Sequence, residues 1–281
     1  MKPYQNYLVV LAEFADNYQF VKSLRSIKPE RSTDGFTDGN DLDYFVKLPK
    51  GTRRVDLPTH PLTWTNIAYV IWDDFNPAIL SLSQQQAMID WLHWGGQLIV
   101  SGPRTLDLLA GSAFRDYLPA RPGETSSLTD DAIKELNKAW SFPKAGQLKL
   151  GTSKRPLTIE LKLTDQSNFV ADTAHLRAEK RVGRGRVVVT GFSIPHEVLL
   201  AWDSFDTFFN ACLLARPPRR FEQKMLDGPI VDVWTDGRLS RDDPRLTSQL
   251  RYFSRDAMSS TTRSRNGPSS LDVSSVQPNF A

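Results

Sequence analysis

The sequence has a single cysteine and no long apolar run. Cys212 is the only cysteine among 281 residues, which excludes an intramolecular disulfide and any zinc site built from several cysteines. It lies within the apolar stretch 208–214, where a small buried side chain is a better interpretation than a reactive thiol. The apolar run 8–12 is interrupted by Glu13 and is too short for a signal peptide. No stretch reaches the roughly 20 apolar residues of a membrane-spanning helix, so we expect a soluble chain without a leader.

An excess of charge of either sign is also missing. The 35 basic and 32 acidic side chains nearly balance, which argues against a nucleic-acid partner. Basic residues cluster at 180–186 and at 216–220. We interpret both clusters as solvated charges of turns and helix ends rather than as phosphate sites.

Motifs for cofactors and metals are absent as well. Gly183 and Gly185 fall in a predicted hairpin rather than between a strand and a helix, so they do not make a dinucleotide-binding loop. The four histidines, which show no metal-ligand spacing, are His60, His93, His175 and His196. The sequence therefore predicts neither a cofactor nor a metal ion.

Apolar strands alternate with amphipathic helices along most of the chain. The runs 7–12, 67–72 and 97–100 are apolar at nearly every position, as is typical of strands buried on both faces. This alternation predicts a mostly parallel sheet with helices on both faces. Later the period changes to two, over 157–163 and in the hairpin 176–192, which predicts an antiparallel β insertion. Helices are predicted after Asp16, from the capping-box pair Ser83 and Gln86 to Gly95, from Pro103, from Thr129, and over 204–214.

The pattern of buried elements ends near residue 225. We therefore predict an α/β domain over 1–225 and an extension over 226–281 that contains short elements at 231–234 and 250–253. The last 28 residues hold eight serines and little apolar pattern, so we expect disorder from about residue 254.

Candidate site residues gather where the predicted strands end. In open α/β sheets, ligands bind outside the carboxyl ends of the strands. A serine nucleophile at Ser101 would need His196 as its base, with Glu197 or Asp74 to orient that base. The pattern Gly-x-Ser-x-Gly is absent and Pro103 removes one backbone donor, so a turn or capping role for Ser101 is favoured. The predicted ligand-binding set at these strand ends is Glu13, Asp73, Asp74, Ser101, Gly102 and Ser193.

Asp73 and Asp74 leave two interpretations open. Carboxylates at a strand end can bind a cation. Alternatively, they cap the loop that leads into Asn76, and we favour this interpretation because aspartate and asparagine are common in such turns.

Two segments resemble the class I glutamine amidotransferase-like superfamily. The first, "IAYVIWDDFNPAILSLSQQQAMIDWLHWGGQLIVSGP", is similar to the strand, helix and second strand that deliver the nucleophile in that fold. The second, "RVGRGRVVVTGFSIPHEVLLAW", is similar to its late hairpin and the loop that carries its histidine. Residues 5–220 also resemble a domain that precedes membrane spans in uncharacterised bacterial envelope proteins.

The resemblance implies a doubly wound, flavodoxin-like sheet and a site whose chemistry has been lost. The superfamily's nucleophilic cysteine would fall at or near Ser101, and its His-Pro-Glu appears permuted as Pro195, His196 and Glu197. We therefore expect a pseudoenzyme that binds a protein partner or a small molecule, within an envelope-associated complex. The alternative is a serine hydrolase or acyltransferase that uses Ser101 and His196. A third and weaker alternative, a sugar-binding or sugar-processing relative, rests on the fold alone.

Overall fold

Seven strands form one mostly parallel sheet in the computed structural model of the protein. The model describes residues 5–27, 43–50, 54–141, 146–150, 155–216, 219–225 and 229–235. The strands are β1 (Gln5–Ala12), β2 (Asp43–Lys47), β3 (Ile67–Asp73), β4 (Gln97–Ser101), β5 (Ala120–Ser127), β6 (Leu157–Leu163), β7 (Ser167–Phe169), β8 (Arg177–Val182), β9 (Gly185–Thr190), β10 (Arg219–Met225) and β11 (Pro229–Thr235).

Helices connect most of these strands. The α-helices are α1 (Leu82–His93), α2 (Pro103–Ala110), α3 (Asp130–Trp140), α4 (Glu197–Leu200) and α5 (Phe205–Phe208), and α5 continues into a π-helical turn over Phe209–Leu213. Short 3-10 helices cover Ala15–Ser23, Pro61–Trp64, Pro77–Ile79 and Arg115–Tyr117. None of the helices in the described ranges is long and apolar enough to cross a bilayer.

The strand order confirms a mixed α/β fold with a mostly parallel sheet. Its order is β2-β1-β3-β4-β9-β8-β7. The first five strands in this order pair in parallel, and β8 and β7 are added antiparallel at one edge. The predicted late hairpin is therefore present as β8 and β9, with β9 serving as the last parallel strand of the sheet.

The sheet has an apolar core on each face. Leu8 and Val10 of β1 pack on one face with α3 and with the helices that follow β9. Val9 and Leu11 pack on the other face with α1 and α2. Since successive residues of a strand point to opposite faces, a central strand with helices on both sides must be apolar at nearly every position.

Two smaller antiparallel sheets accompany the main one. β5 pairs with β6, and β10 pairs with β11. β5 was not predicted from the sequence, because residues 121–127 are polar and mostly exposed and so show no alternation. β10 and β11 lie on either side of the predicted domain boundary at residue 225, and that boundary stays a prediction. The predicted disorder from residue 254 and the predicted element at 250–253 lie outside the described residues.

Two predicted helices differ in the structure. The segment after β1 is a 3-10 helix with Phe14 at its N-cap and no side-chain cap. Asp16 does not cap it, because the Asp16 carboxylate accepts instead from Gln19 and Lys50 on the surface. The predicted helix over 204–214 is divided between α5 and the π-helical turn, so it has no uniform 3.6-residue period.

The capping box of α1 lies two residues before the predicted one. Ser81 Oγ accepts from the Gln84 amide at 3.3 Å, and Gln84 Oε1 accepts from the Ser81 amide at 2.9 Å. The sequence contains the Ser-x-x-Gln pattern in two overlapping registers, Ser81 with Gln84 and Ser83 with Gln86. Tertiary contacts select the first register, because Gln84 Nε2 also donates to the carbonyl oxygens of Val55 and Leu57, both at 2.9 Å.

Replacing Ser81 with alanine should lower the free energy of unfolding by about 1 kcal/mol, since the helix loses its cap. Ser83→Ala is the matched control, because Ser83 Oγ hydrogen-bonds with the Ser81 hydroxyl rather than with a backbone amide of the helix among the described residues. Urea unfolding of the two variants measures the difference. An equal loss from Ser83→Ala would contradict the assignment of the cap to Ser81.

Candidate functional site at the strand ends

The carboxyl ends of β1, β3 and β4 meet the loop after β9 at one edge of the sheet. The Glu13 amide donates to the Asp73 carbonyl at 3.0 Å, and the Gly102 amide donates to the Phe192 carbonyl at 3.0 Å. A Cβ built on Gly102 would lie 3.3 Å from Asp73 Oδ1 and 3.8 Å from Ser193 Cα. The predicted residues Glu13, Asp73, Asp74, Ser101, Gly102 and Ser193 therefore lie in one neighbourhood.

Ser101 is fully buried and its hydroxyl is held on two sides. The side chain has 0% exposure. Its Oγ accepts from the Ile194 amide at 3.0 Å and lies 3.0 Å from the Tyr18 hydroxyl oxygen, within hydrogen-bond distance. These bonds tie the end of β4 to the 3-10 helix after β1 and to the loop after β9, so the serine acts here as a structural junction.

Tyr18 is the site residue that sequence reasoning missed. Its ring is completely buried, and its hydroxyl lies 2.9 Å from Asp73 Oδ2 as well as 3.0 Å from Ser101 Oγ. Burial raises the pKa of Tyr18 well above its usual range, so the hydroxyl keeps its proton and serves as a donor. A signal was available in its position, because the segment after β1 must pass over the strand ends.

Asp73 is a partly buried carboxyl whose pKa is raised towards neutral pH. Burial raises its pKa from 3.8 to about 6, while the hydrogen bond from Tyr18 acts in the opposite direction and favours the ionised form. The nearby Asp74 carboxylate raises the pKa of Asp73 further. A group with this pKa changes its charge within the physiological range.

Asp74 is fixed in an unfavourable backbone conformation. Its φ is +50°, which is uncommon for a residue other than glycine. The Asp74 amide donates to Thr105 Oγ1 at 2.7 Å, and the Thr105 hydroxyl donates to the Ser101 carbonyl at 2.5 Å. This arrangement agrees with the favoured interpretation of Asp74 as a turn residue.

Arg104 completes the exposed rim of the site. Its Nη1 lies 3.6 Å from Asp74 Oδ2 and 3.8 Å from Glu13 Oε2. Because the arginine and Glu13 are largely exposed, these contacts contribute little to stability. The described part of the chain holds no group of three or more potential metal ligands.

His196 lies in the predicted loop but is engaged elsewhere. Its Nδ1 accepts from the Val198 amide at 3.2 Å and so caps α4. While Nδ1 accepts this bond, it is not available to accept a proton from a serine hydroxyl. Within the described ranges, no hydrogen bond joins His196 to Ser101 or to Asp74, and Glu197 is an exposed residue at the start of α4.

Comparison with known proteins gives only distant likenesses. No protein-family model and no curated protein matches the chain. Among solved structures, the cytoplasmic protein STM1381 from Salmonella typhimurium LT2 is similar at 14% identity, covering 74% of this chain and 98% of that chain, with a TM-score of 0.46. The cytoplasmic protein STM3548 from Salmonella typhimurium is similar at 10% identity, covering 74% of this chain and 98% of that chain, with a TM-score of 0.44. The exo-β-1,4-mannosidase Op5Man5 from Opitutaceae bacterium strain TAV5 is similar at 12% identity, covering 74% of this chain and 34% of that chain, with a TM-score of 0.34.

These TM-scores are all below 0.5. The chain's own strand order therefore defines its class, a mixed α/β protein with a mostly parallel seven-stranded sheet.

Proposed function

We propose that this protein is a non-catalytic binding module of the amidotransferase-like type, with a flavodoxin-like sheet. The parallel order β2-β1-β3-β4-β9 supports that architecture, since it is the order of flavodoxin-like folds. The observation that carries the proposal is the environment of Ser101. The position expected for a nucleophile is occupied by a buried hydroxyl that hydrogen bonds with the Ile194 amide and the Tyr18 hydroxyl hold in place.

A serine nucleophile needs an exposed hydroxyl and a free base next to it. The alternative, a serine hydrolase or acyltransferase, would require Ser101 to leave both Tyr18 and Ile194 and reach the substrate. It would also require the His196 ring to release the Val198 amide. Both changes remove hydrogen bonds from groups that are at least partly buried, and each lost bond costs about 1 kcal/mol or more.

The rim of the same site is suited to binding. Glu13 and Arg104 present charges of both signs at the strand ends. Phe14, next to Glu13, exposes 65% of its surface and adds an apolar contact area. A ligand or partner segment that combines a polar group with an apolar one would match this rim.

A fluorophosphonate probe tests the loss of catalysis. We expect no labelling of the folded wild-type chain, because the Ser101 hydroxyl is inaccessible and lacks a base. The Ser101→Ala variant is the matched control, and an active serine hydrolase in the same reaction verifies the probe. Labelling of the wild-type chain that disappears in Ser101→Ala would overturn the proposal and favour the hydrolase.

Site-specific photocrosslinking tests the binding role. A benzophenone amino acid at position 13 should give a reproducible adduct with one partner in producing cells, whereas the same group at position 181, on an exposed part of β8, should not. Native mass spectrometry of the purified chain detects a small-molecule ligand in place of a protein. No adduct and no bound ligand, or the same adducts from both positions, would contradict the role.

The resemblance also implies a place in an envelope-associated complex. We expect a tagged chain to be recovered partly with the membrane fraction and to leave it when the partner is removed. If the chain is recovered entirely outside the membrane fraction while the photoadduct still forms, the association with the envelope is contradicted and the binding role is not.

A further inference from the structure

A pocket lies over the edge of the sheet formed by β1 and β2. It is on the face that packs against α1, and its volume is about 360 Å³. In the register of the two strands, Val9 of β1 is paired with Lys47 of β2. Val9 lies three residues before Ala12, the carboxyl end of β1. At about 3.3 Å per residue, this places the pocket roughly 10 Å from the strand-end site. The lining residues are Tyr7, Val9, Lys47, Leu48, Pro49, Asp56, Leu57, Pro58, Thr63 and Ile67.

The described residues form an incomplete helical layer around this pocket. In the described parts of the connection from β2 to β3, residues 48–50 and 54–66, the only helix is the single turn Pro61–Trp64. That turn packs against α1 through Trp64 and Trp91, whose ring centroids are 5.5 Å apart. Among the described residues, no helix therefore covers the sheet surface over β1 and β2.

The walls of the pocket are apolar, and its charges are few. Val9, Leu57 and Ile67 are buried side chains that form its base. A volume of about 360 Å³, with mainly apolar walls and a few polar groups, falls in the range that is usual for small-molecule sites.

Lys47 supplies the positive charge of the pocket. Its Nζ lies 5.7 Å from the centroid of the Tyr7 ring, where the ring face attracts a cation. Lys47 forms none of the ion pairs found among the described residues. The acidic lining residue, Asp56, is 96% exposed at its side chain and lies 3.7 Å from Arg54.

We propose that this pocket binds a small apolar carboxylate, such as an arylalkyl carboxylic acid. The hydrocarbon part packs against Leu57, Ile67 and the Tyr7 ring, and the carboxylate pairs with the Lys47 ammonium group. Burial of the apolar part supplies most of the affinity, at about 25 cal/mol per Å². The charge pair determines that an acid is preferred over a neutral or cationic compound of the same shape. The inference is independent of the function proposed for the strand-end site.

Calorimetric titration of the full chain with three compounds of the same shape tests this inference. The probes are 4-phenylbutyrate, 4-phenylbutan-1-ol and 4-phenylbutylamine. We expect the acid to bind up to about fivefold more tightly than the alcohol, and the amine to bind most weakly, because one charge pair near the surface contributes up to about 1 kcal/mol.

Variants locate the site. Lys47→Met should weaken binding of the acid about fivefold and leave binding of the alcohol unchanged. Lys50→Met is the matched control, since Lys50 is an exposed lysine that pairs with Asp16 at 2.8 Å and does not line the pocket. Neither lysine is buried, so both variants should fold.

Three results of these titrations would overturn the inference. They are no measurable binding of any probe, an amine or alcohol that binds as tightly as the acid, and an acid whose affinity is unchanged by Lys47→Met. Chemical-shift changes confined to the strand-end residues Glu13 and Ser193 would also overturn it.

Discussion

Replacing Gly185 with alanine should destabilise the fold by about 3 kcal/mol or more. A Cβ at this position would collide with the carbonyl oxygens of Leu92 and Gly96. Both obstacles are backbone atoms, so no side-chain rotation can relieve the contact. The Gly96 carbonyl also accepts from the Arg186 amide at 3.0 Å. Because the new Cβ would displace this carbonyl, it would disturb the pairing of β4 with β9 as well.

The collision follows from how the β8–β9 hairpin contacts α1. The Arg184 amide donates to the His93 carbonyl at 2.9 Å, so the hairpin turn satisfies one of the unpaired carbonyl groups at the end of the helix. Gly183 lies against the same turn of helix, with φ at +58°. The close approach that satisfies the helix end therefore requires glycine in the hairpin.

Thermal and urea unfolding measure this effect. For a domain of this size, 3 kcal/mol corresponds to a fall in Tm of roughly 6–12 °C. Gly111→Ala is the matched control, because a Cβ there would have only the Leu108 carbonyl oxygen within 4 Å, at 3.8 Å. Equal unfolding temperatures for the two variants would contradict the close packing of the hairpin against α1.

Replacing Asp73 with asparagine should stabilise the protein at neutral and alkaline pH by about 3 kcal/mol. The pKa of Asp73 is about 6 in the folded chain against an ordinary value of 3.8. Each unit of pKa difference corresponds to about 1.4 kcal/mol. Asparagine is uncharged, and its oxygen can still accept from the Tyr18 hydroxyl, so the variant avoids the cost of burying a carboxylate.

The pH dependence has a defined sign. Between pH 3.8 and about 6 the folded chain binds more protons at Asp73 than the unfolded chain does. The contribution of this carboxyl to stability is therefore most favourable below pH 3.8 and is lost as the pH rises through 6. Urea unfolding of the wild type and of Asp73→Asn from pH 4 to pH 8 should give curves that diverge as the pH rises.

Asp107→Asn provides the control for this series, because Asp107 is an exposed carboxyl of α2. It measures how much of the change comes from removing one negative charge. A difference between wild type and Asp73→Asn that stays constant across the series would contradict the raised pKa of Asp73. A stabilised Asp73→Asn variant would mean that the carboxylate lowers stability at neutral pH, a common property of residues retained for function.

The sequence predicted the elements whose signal is local and strong. The buried strands around Val9, Val70 and Ile99 were identified because apolar residues continue through both faces. Thr129 was identified as the cap of α3, and its side chain accepts from the Ala132 amide at 3.2 Å. Cys212 is buried, as expected from its apolar neighbours.

Elements stabilised by distant contacts were missed or misplaced. β5 is polar and is recognisable only through its pairing with β6. The cap of α1 was assigned to Ser83 because the sequence offers two equivalent registers, and the bonds from Gln84 to residues 55 and 57 select the other.

The same contrast between local signals and distant contacts applies to the candidate site. The sequence alone determined its location, because parallel strands all end at one edge of the sheet and the residues that follow them must meet there. Glu13, Asp73, Asp74, Ser101 and Ser193 were assigned to that edge on this basis.

Only the tertiary structure decided the chemical state of those residues. Tyr18 is 83 positions from Ser101 in the chain, and Ile194 is 93 positions away. No local pattern in the sequence specifies that these two groups hold the Ser101 hydroxyl, or that burial brings the Asp73 carboxyl to a pKa of about 6. Location follows from the order of strands, whereas reactivity depends on desolvation and hydrogen bonding between segments that are far apart in sequence.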